Sequence, residues 1–253
     1  MRLIGYSTGA IAKSDFLFAV KFLRSLKVKA LEISALRLRE LPLVLEAIKA
    51  LDLADFDYIA FHVPSRFTSS EEEHVVEALT SLRDTSWPLI VHPDIIATPS
   101  LWRTFGAQLC IENMDQRKPV GQTSEHLREI FSSLPNATLC LDLAHIQQVD
   151  PTMFEAAIIL KEHGHRLRQI HMSDLDTFSS HHRISQLSLA AFASVCRNID
   201  QTVPVILESP LLEESGEELV NNPEQALHEM DLARRVFSSP ASNPESATSA
   251  IGY

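Results

Sequence analysis

The sequence predicts an α/β protein built as a single (β/α)8 barrel, and three observations carry that prediction. Strand-like and helix-like segments alternate along nearly all of its 253 residues, a length that such barrels commonly occupy as one unit. Six short apolar runs each end on a residue that can bind a metal: Asp57–His62, Pro88–His92, Leu109–Glu112, Thr138–Asp142, Leu167–His171 and Pro204–Glu208. Connections are short, and no glycine-rich phosphate turn follows the first strand, because Gly5-Tyr-Ser-Thr-Gly9 lacks the third glycine of an open-sheet fingerprint.

The six runs are rich in Val, Ile and Phe and bounded by Pro, Ser or Asn, as buried parallel strands are. Arg2–Tyr6 and Lys29–Ile33 precede them and bring the predicted strands to eight. Helical patterns follow in turn: Asp15–Leu26, Pro42–Leu51, Glu71–Arg83, Pro99–Phe105, Glu125–Phe131, Pro151–His163, Leu189–Arg197 and Pro223–Val236. Ser70 with Glu73 predicts a capping box. Thr98-Pro99, Asp150-Pro151 and Asn222-Pro223 pair an N-cap with proline at the first helical position. Residues 1–237 are expected to form the barrel and 238–253, poor in large apolar residues, a disordered tail.

Hydrophobic content of 45% and charged content of 22% suit a globular protein with a sizeable core. A formal net charge of -11 argues against a surface made for nucleic acid or anionic membrane. The start carries no signal-peptide pattern and no run reaches membrane-spanning length, which predicts a cytoplasmic protein without membrane contact. Cys110, Cys140 and Cys196 lack paired spacing, so no disulfide framework is expected. Side chains two residues before each strand end share its inward face. These are Ala60, Ile90, Cys110, Cys140, Gln169 and Ile206, an apolar plug broken only by Gln169, which is placed to orient a ligand.

Barrels of this kind work at the C-terminal ends of their strands, where all six metal-binding residue types fall. Glu112, Asp142, His171 and Glu208 end the fifth to eighth predicted strands. Three carboxylates and an imidazole suit Mn, Mg, Co or Zn. Left alone in a low-dielectric mouth, three carboxylates repel one another; a divalent cation removes that conflict. Salt bridges at the strand ends would need inward Arg or Lys, and the inward positions supply none. His62 and His92 end the strands beside Glu112, so these three predict a second, zinc-type site with Glu112 bridging two ions. His145, three residues past Asp142, and His181 and His182 after strand seven are candidates for a third. His74, His126, His163, His165 and His228 fall in or beside helices and receive no role.

Together, Phe61-His-Val-Pro64, Val91-His-Pro93, Ile111-Glu-Asn113, Leu141-Asp-Leu-Ala-His145, Ile170-His-Met-Ser-Asp174 and Leu207-Glu-Ser209 resemble the metal-binding motifs of the xylose-isomerase-like TIM barrels. That superfamily holds sugar isomerases and epimerases as well as endonuclease IV-type nucleases (AP endonuclease family 2). The resemblance spans nearly the whole chain before the tail. It implies that Glu112, Asp142, His171 and Glu208 bind metal in either branch. It also implies that His62, His92, His145 and His182 match further ligands of the nuclease branch's trinuclear zinc site. The family's Asp-Arg-His triplet stands here as Ser180-His181-His182, so its aspartate is missing; Asp174 or Asp176 is the replacement within reach.

Two chemistries compete. The favoured one is metal-activated hydrolysis of a phosphoester, with one to three Zn or Mn ions and Glu112, Glu208 and His145 as catalytic groups. A divalent ion brings the pKa of its water from 15.7 to about 7, and an ion pair clamps attacking and leaving oxygens. Arg66, Arg117, Lys118 and Arg183 lie on loops of the same end, with Arg66 and Arg183 the expected substrate contacts. The alternative is aldose–ketose isomerisation or epimerisation at one ion, with Glu112 and Glu208 moving the proton and His145 and Arg183 touching substrate oxygens. It leaves His62 and His92 without a task. A barrel that only binds a sugar or metal is a third reading. The segment Leu211–Glu218 sets four acids near the mouth, which disfavours duplex DNA as partner. A small sugar, sugar phosphate or phosphoester is therefore the expected substrate, with Ser173–Ser188 as the lid. The oligomeric state is left open.

Overall fold

Apolar runs of three to six residues pair in parallel, each with its sequence neighbour, until the last meets the first. In chain order the strands are β1 (Ile4–Ser7), β2 (Ala30–Ser34), β3 (Tyr58–His62), β4 (Leu89–Val91), β5 (Leu109–Glu112), β6 (Thr138–Asp142), β7 (Leu167–Met172), β8 (Asp174–Leu175), β9 (His181–His182) and β10 (Val205–Leu207). β1 to β7 and β10 close an eight-stranded barrel with β10 against β1, while β8 and β9 form an antiparallel hairpin after β7. This computed structural model describes residues 2–211 and 222–238. All but Ser238 of the expected tail, and all but Leu211 of the acidic Leu211–Glu218 segment, lie outside the described residues.

Every predicted strand is present, because strands covered on both faces show as unbroken apolar runs. Closure brings β1 and β2 so near that a Cβ on Gly5 would fall 1.8 Å from the Ala30 carbonyl oxygen, so only glycine fits there. Inside the barrel Ala60, Ile90, Cys110 and Cys140 pack together with Tyr58 against them. The thiols are unpaired, and burial pushes that of Cys110 up to about 12, which suits packing rather than ligation.

Helices cover the outside. The segment Pro223–Val236 starts where predicted, with Asn222 accepting from the Gln225 N–H. Other starts differ. Ser70 and Glu73 form no capping box: helix Glu72–Leu79 begins after Glu71, whose carboxylate accepts from Thr68. Thr98 caps with proline behind it but makes no side-chain bond. Asp150 does not start a helix at Pro151, because its carboxylate closes a turn onto Thr152 and Glu155 and the helix begins at Phe154. Two further short helices, Thr8–Ala12 and Leu143–Val149, were not expected from the sequence. No helix among the described residues is long and apolar enough to cross a membrane.

Candidate metal centre

The ends of β5 and β6 are joined by one asparagine. Asn113 Nδ2 donates to the Asp142 carbonyl at 2.9 Å, and the Asp142 N–H donates back to Asn113 Oδ1 at 2.7 Å. Asp142 then caps the helix Leu143–Val149, its Oδ1 accepting from the His145 N–H at 2.7 Å. Its Oδ2 is buried and makes no hydrogen bond. An orphaned carboxylate oxygen in the interior is costly unless a cation meets it.

Glu112 faces that oxygen and turns its two oxygens to different neighbours. Oε2 lies 3.3 Å from His62 Nε2 and 3.1 Å from His92 Nε2. Oε1 lies 3.0 Å from His171 Nδ1 and 3.6 Å from His145 Nδ1. Glu112 thus belongs to two donor groups, His62–His92–Glu112 and Glu112–Asp142–His171–Glu208, each with ligand atoms within 4.8 Å of one another. Unit charges that far apart repel by roughly 3 kcal/mol per pair at an effective dielectric near 20. Three carboxylates in the second group would therefore cost a large part of a typical folding free energy. The donor set fits divalent cations: oxygen-rich around Asp142 and Glu208, nitrogen-rich around His62 and His92.

Backbone carbonyls orient two imidazoles. His62 Nδ1 donates to the Val63 carbonyl at 2.9 Å, leaving Nε2 for Glu112 and its surroundings. His145 Nδ1 donates to the Asn113 carbonyl at 2.8 Å. His171 is held the other way round. Its Nε2 lies 2.8 Å from Glu32 Oε2, and its Nδ1 faces Glu112, Asp142 and Glu208.

Glu32 is a buried carboxylate beside this site that the strand-end pattern does not reveal. It sits in mid-strand in β2, fully buried, and reaches across the barrel interior to Gln169 and His171 on β7. The run Ala30-Leu-Glu-Ile-Ser34 ends on serine, so a rule based on strand ends passes over it. A lone carboxylate inside an otherwise apolar parallel strand was the available signal. Gln169, expected as an orienting group, donates to Glu32 at 2.7 Å and accepts from the Tyr58 hydroxyl at 2.7 Å.

These neighbours move the proton affinities apart. Burial would raise Glu112, but His171 and His92 beside it hold it well below the usual carboxylate range. Burial, with Glu112 and Asp142 nearby, pushes Glu208 up to about 8. Burial alone would lower His62, yet the hydrogen bond to Glu112 and the nearby Glu32 carry it to about 9. His171 is likewise held well above its ordinary value against burial, by Glu32, Glu208 and Glu112 among others. His92 is lowered, chiefly by burial.

The hairpin divides the two histidines that the sequence offered as a pair. Side chains alternate along a strand, so His181 turns toward the mouth, 3.8 Å from Glu208 Oε2 and 2.8 Å from Ser173 Oγ. His182 turns away, 58% exposed, with Nε2 3.3 Å from Asp176 Oδ2. Asp174 accepts from the N–H groups of Leu175 and Ser185 and from the Ser188 hydroxyl. Asp176 accepts from the N–H groups of Phe178 and Ser180. Among the described residues, neither aspartate nor His182 joins a group of three metal-type donors. Of the loop cations, Arg66 and Arg183 are exposed. Arg117 is held by both oxygens of Asp115 and by the Phe178 carbonyl, and Lys118 lies 2.6 Å from Asp94.

A family model described as a xylose isomerase-like TIM barrel matches residues 96–236. No curated protein sequence matches the chain. Endonuclease IV from Thermus thermophilus superposes with a TM-score of 0.56 at 17% identity, over 93% of this chain and 98% of its own. A 3-keto-D-glucoside 4-epimerase from E. coli gives 0.59 at 14% identity, over 93% and 99%. A xylose isomerase-like TIM barrel protein from Mycobacterium smegmatis in complex with magnesium gives 0.51 at 11%, over 94% and 98%. At such identities the likeness is one of fold.

Proposed function

Because the chain belongs to the family of xylose isomerase-like TIM barrels, we propose that it is a divalent-metal-dependent enzyme hydrolysing small phosphoesters at a two-ion centre. One observation carries the reading: Glu112 is shared by two complete donor groups and offers one oxygen to each. His62, His92 and Glu112 would hold one ion, and Asp142, His171, Glu208 and Glu112 the other, with zinc or manganese the metals that suit the mixed donors. Bound there, divalent ions would supply Lewis acidity toward a phosphoryl group and acidify a water.

The chain's own residues do the rest. Glu208, with Oε2 3.6 Å from His171 Nδ1 at the mouth, would be ionised beside bound cations and is the carboxylate placed to take a proton from an attacking water. His145, its Nδ1 proton given to the Asn113 carbonyl, has Nε2 as the atom that passes a proton to a leaving oxygen. Arg66 and Arg183, exposed at the same end of the barrel, are the cations for a phosphate. Arg117 and Lys118 on the same loops pair with Asp115 and Asp94. The acidic balance of -11 favours a small substrate over a duplex.

The neighbours' names span both chemistries, a nuclease and a 4-epimerase. Epimerisation at one ion has the four-residue group Glu112–Asp142–His171–Glu208 in its favour, but it leaves the convergence of His62 and His92 on Glu112 without purpose. The test is direct. Purified protein with added Zn or Mn is assayed on a chromogenic phosphodiester and on a panel of ketohexoses. Turnover of the diester alone supports hydrolysis. Turnover of a ketohexose alone, unchanged in His92→Ala, overturns it.

A further inference from the structure

Glu32 has no task in the scheme above, although it is fully buried beside the centre. We infer that Glu32 is a positioning residue that fixes which nitrogen of His171 faces the ions. The inference rests on the metal reading of the site and deepens it.

The hydrogen-bond geometry decides the assignment. Glu32 Oε2 lies 2.8 Å from His171 Nε2 and 2.7 Å from Gln169 Nε2. An ionised carboxylate only accepts, so both nitrogens must donate to it. His171 therefore carries a proton on Nε2; its Nδ1, 3.0 Å from Glu112 Oε1, carries the proton that a bound ion would displace. Gln169 Nε2 also stands 2.7 Å from His171 Nε2, which would allow the opposite tautomer with the ring as acceptor. That arrangement would leave Nε2 unprotonated against the Glu32 oxygen, whereas an ion held by Glu112, Asp142 and Glu208 would take the place of the Nδ1 proton. The Tyr58 hydroxyl secures the choice from below by donating to Gln169 Oε1, which turns the amide nitrogen toward Glu32. The chain Tyr58–Gln169–Glu32–His171 therefore runs from the barrel floor to the metal centre.

Charge is compatible with this geometry: fully ionised, Glu32, Glu112, Asp142 and Glu208 would bring four negative charges to one mouth, which two divalent ions would balance. Glu32 Oε1 has no hydrogen-bond partner and is buried. One ligand-type atom from each of Glu32, His62 and Glu208 lies within 4.8 Å of the others, so this fourth carboxylate serves the same cavity.

Glu32→Gln keeps the shape and removes the charge. Zinc affinity is measured by competition with a chromogenic chelator for wild type and variant, with thermal unfolding of the metal-free proteins as a control on folding. Loss of an outer carboxylate on a ligating histidine costs about 10–100-fold in metal affinity, and that loss is expected here. A structural role alone would shift unfolding and leave affinity unchanged. A second readout needs no Glu32 variant: in ¹⁵N spectra of zinc-loaded wild type, the His171 signal (assigned by its loss in His171→Asn) should show Nε2 protonated. Wild-type zinc affinity in Glu32→Gln, or a proton on Nδ1, overturns the role of Glu32 while leaving the metal centre standing. A wild type that takes up no zinc overturns both.

Discussion

The two sides of the barrel mouth obey different rules. On the side of β3 and β4, His62 ends its strand and His92 directly follows its own, and the parallel strands bring both within 3.3 Å of Glu112. Across the mouth, His181 and His182 stand in a short antiparallel hairpin, and only His181 faces the centre. Strand ends deliver side chains by a register set by the barrel. Loops deliver them by turn geometry, in which one residue of shift exchanges inside for outside. The same contrast divides metal-type residues that converge from those spent on structure, such as Asp174 and Asp176.

Glu112→Gln should have the largest effect, because it removes the carboxylate common to both donor groups. Metal content should fall, and phosphodiester turnover should drop by more than about a hundredfold, with circular dichroism unchanged. Full turnover in that variant would remove Glu112 from the mechanism. His92→Ala comes next. It should lower the ion count by one and turnover by about 10–100-fold, whereas a one-ion epimerase would lose little.

Metal uptake should also depend on pH, and the sign is fixed. Ligands must lose protons to bind. His62 at about 9 and Glu208 at about 8 each hold one at neutral pH. Apparent affinity should therefore rise as pH increases from 6 and level off above about 9. Calorimetry in buffers of different ionisation enthalpy should report protons released on binding. An affinity flat between pH 6 and 9 would contradict these assignments. The smallest effects belong to the hairpin. His181→Ala should lower kcat/KM by less than about tenfold, and His182→Ala, on the outer face, should leave it unchanged. The reverse order would place the wrong face of the hairpin toward the substrate.

Much of this was legible in the sequence. All eight barrel strands are readable because burial on both faces leaves apolar runs, and six of those runs end on donors. Glu112, Asp142, His171 and Glu208 come together with His62 and His92 as their positions predict. Glu32 escaped because the strand was expected to end at Ile33, which puts Glu32 on the outward face, whereas β2 runs on to Ser34. The helix Leu143–Val149 escaped because its N-cap, Asp142, also reads as a strand end. The hairpin is two residues per strand, too short for any periodicity to show.

Two ions sharing Glu112 are the core of the proposed centre, and counting them is its most direct test. Elemental analysis of protein purified without added metal or chelator should find two Zn or Mn per chain, falling to one in His92→Ala. A wild-type count of one, untouched by that substitution, would contradict the shared-carboxylate centre and leave His62 and His92 as bystanders.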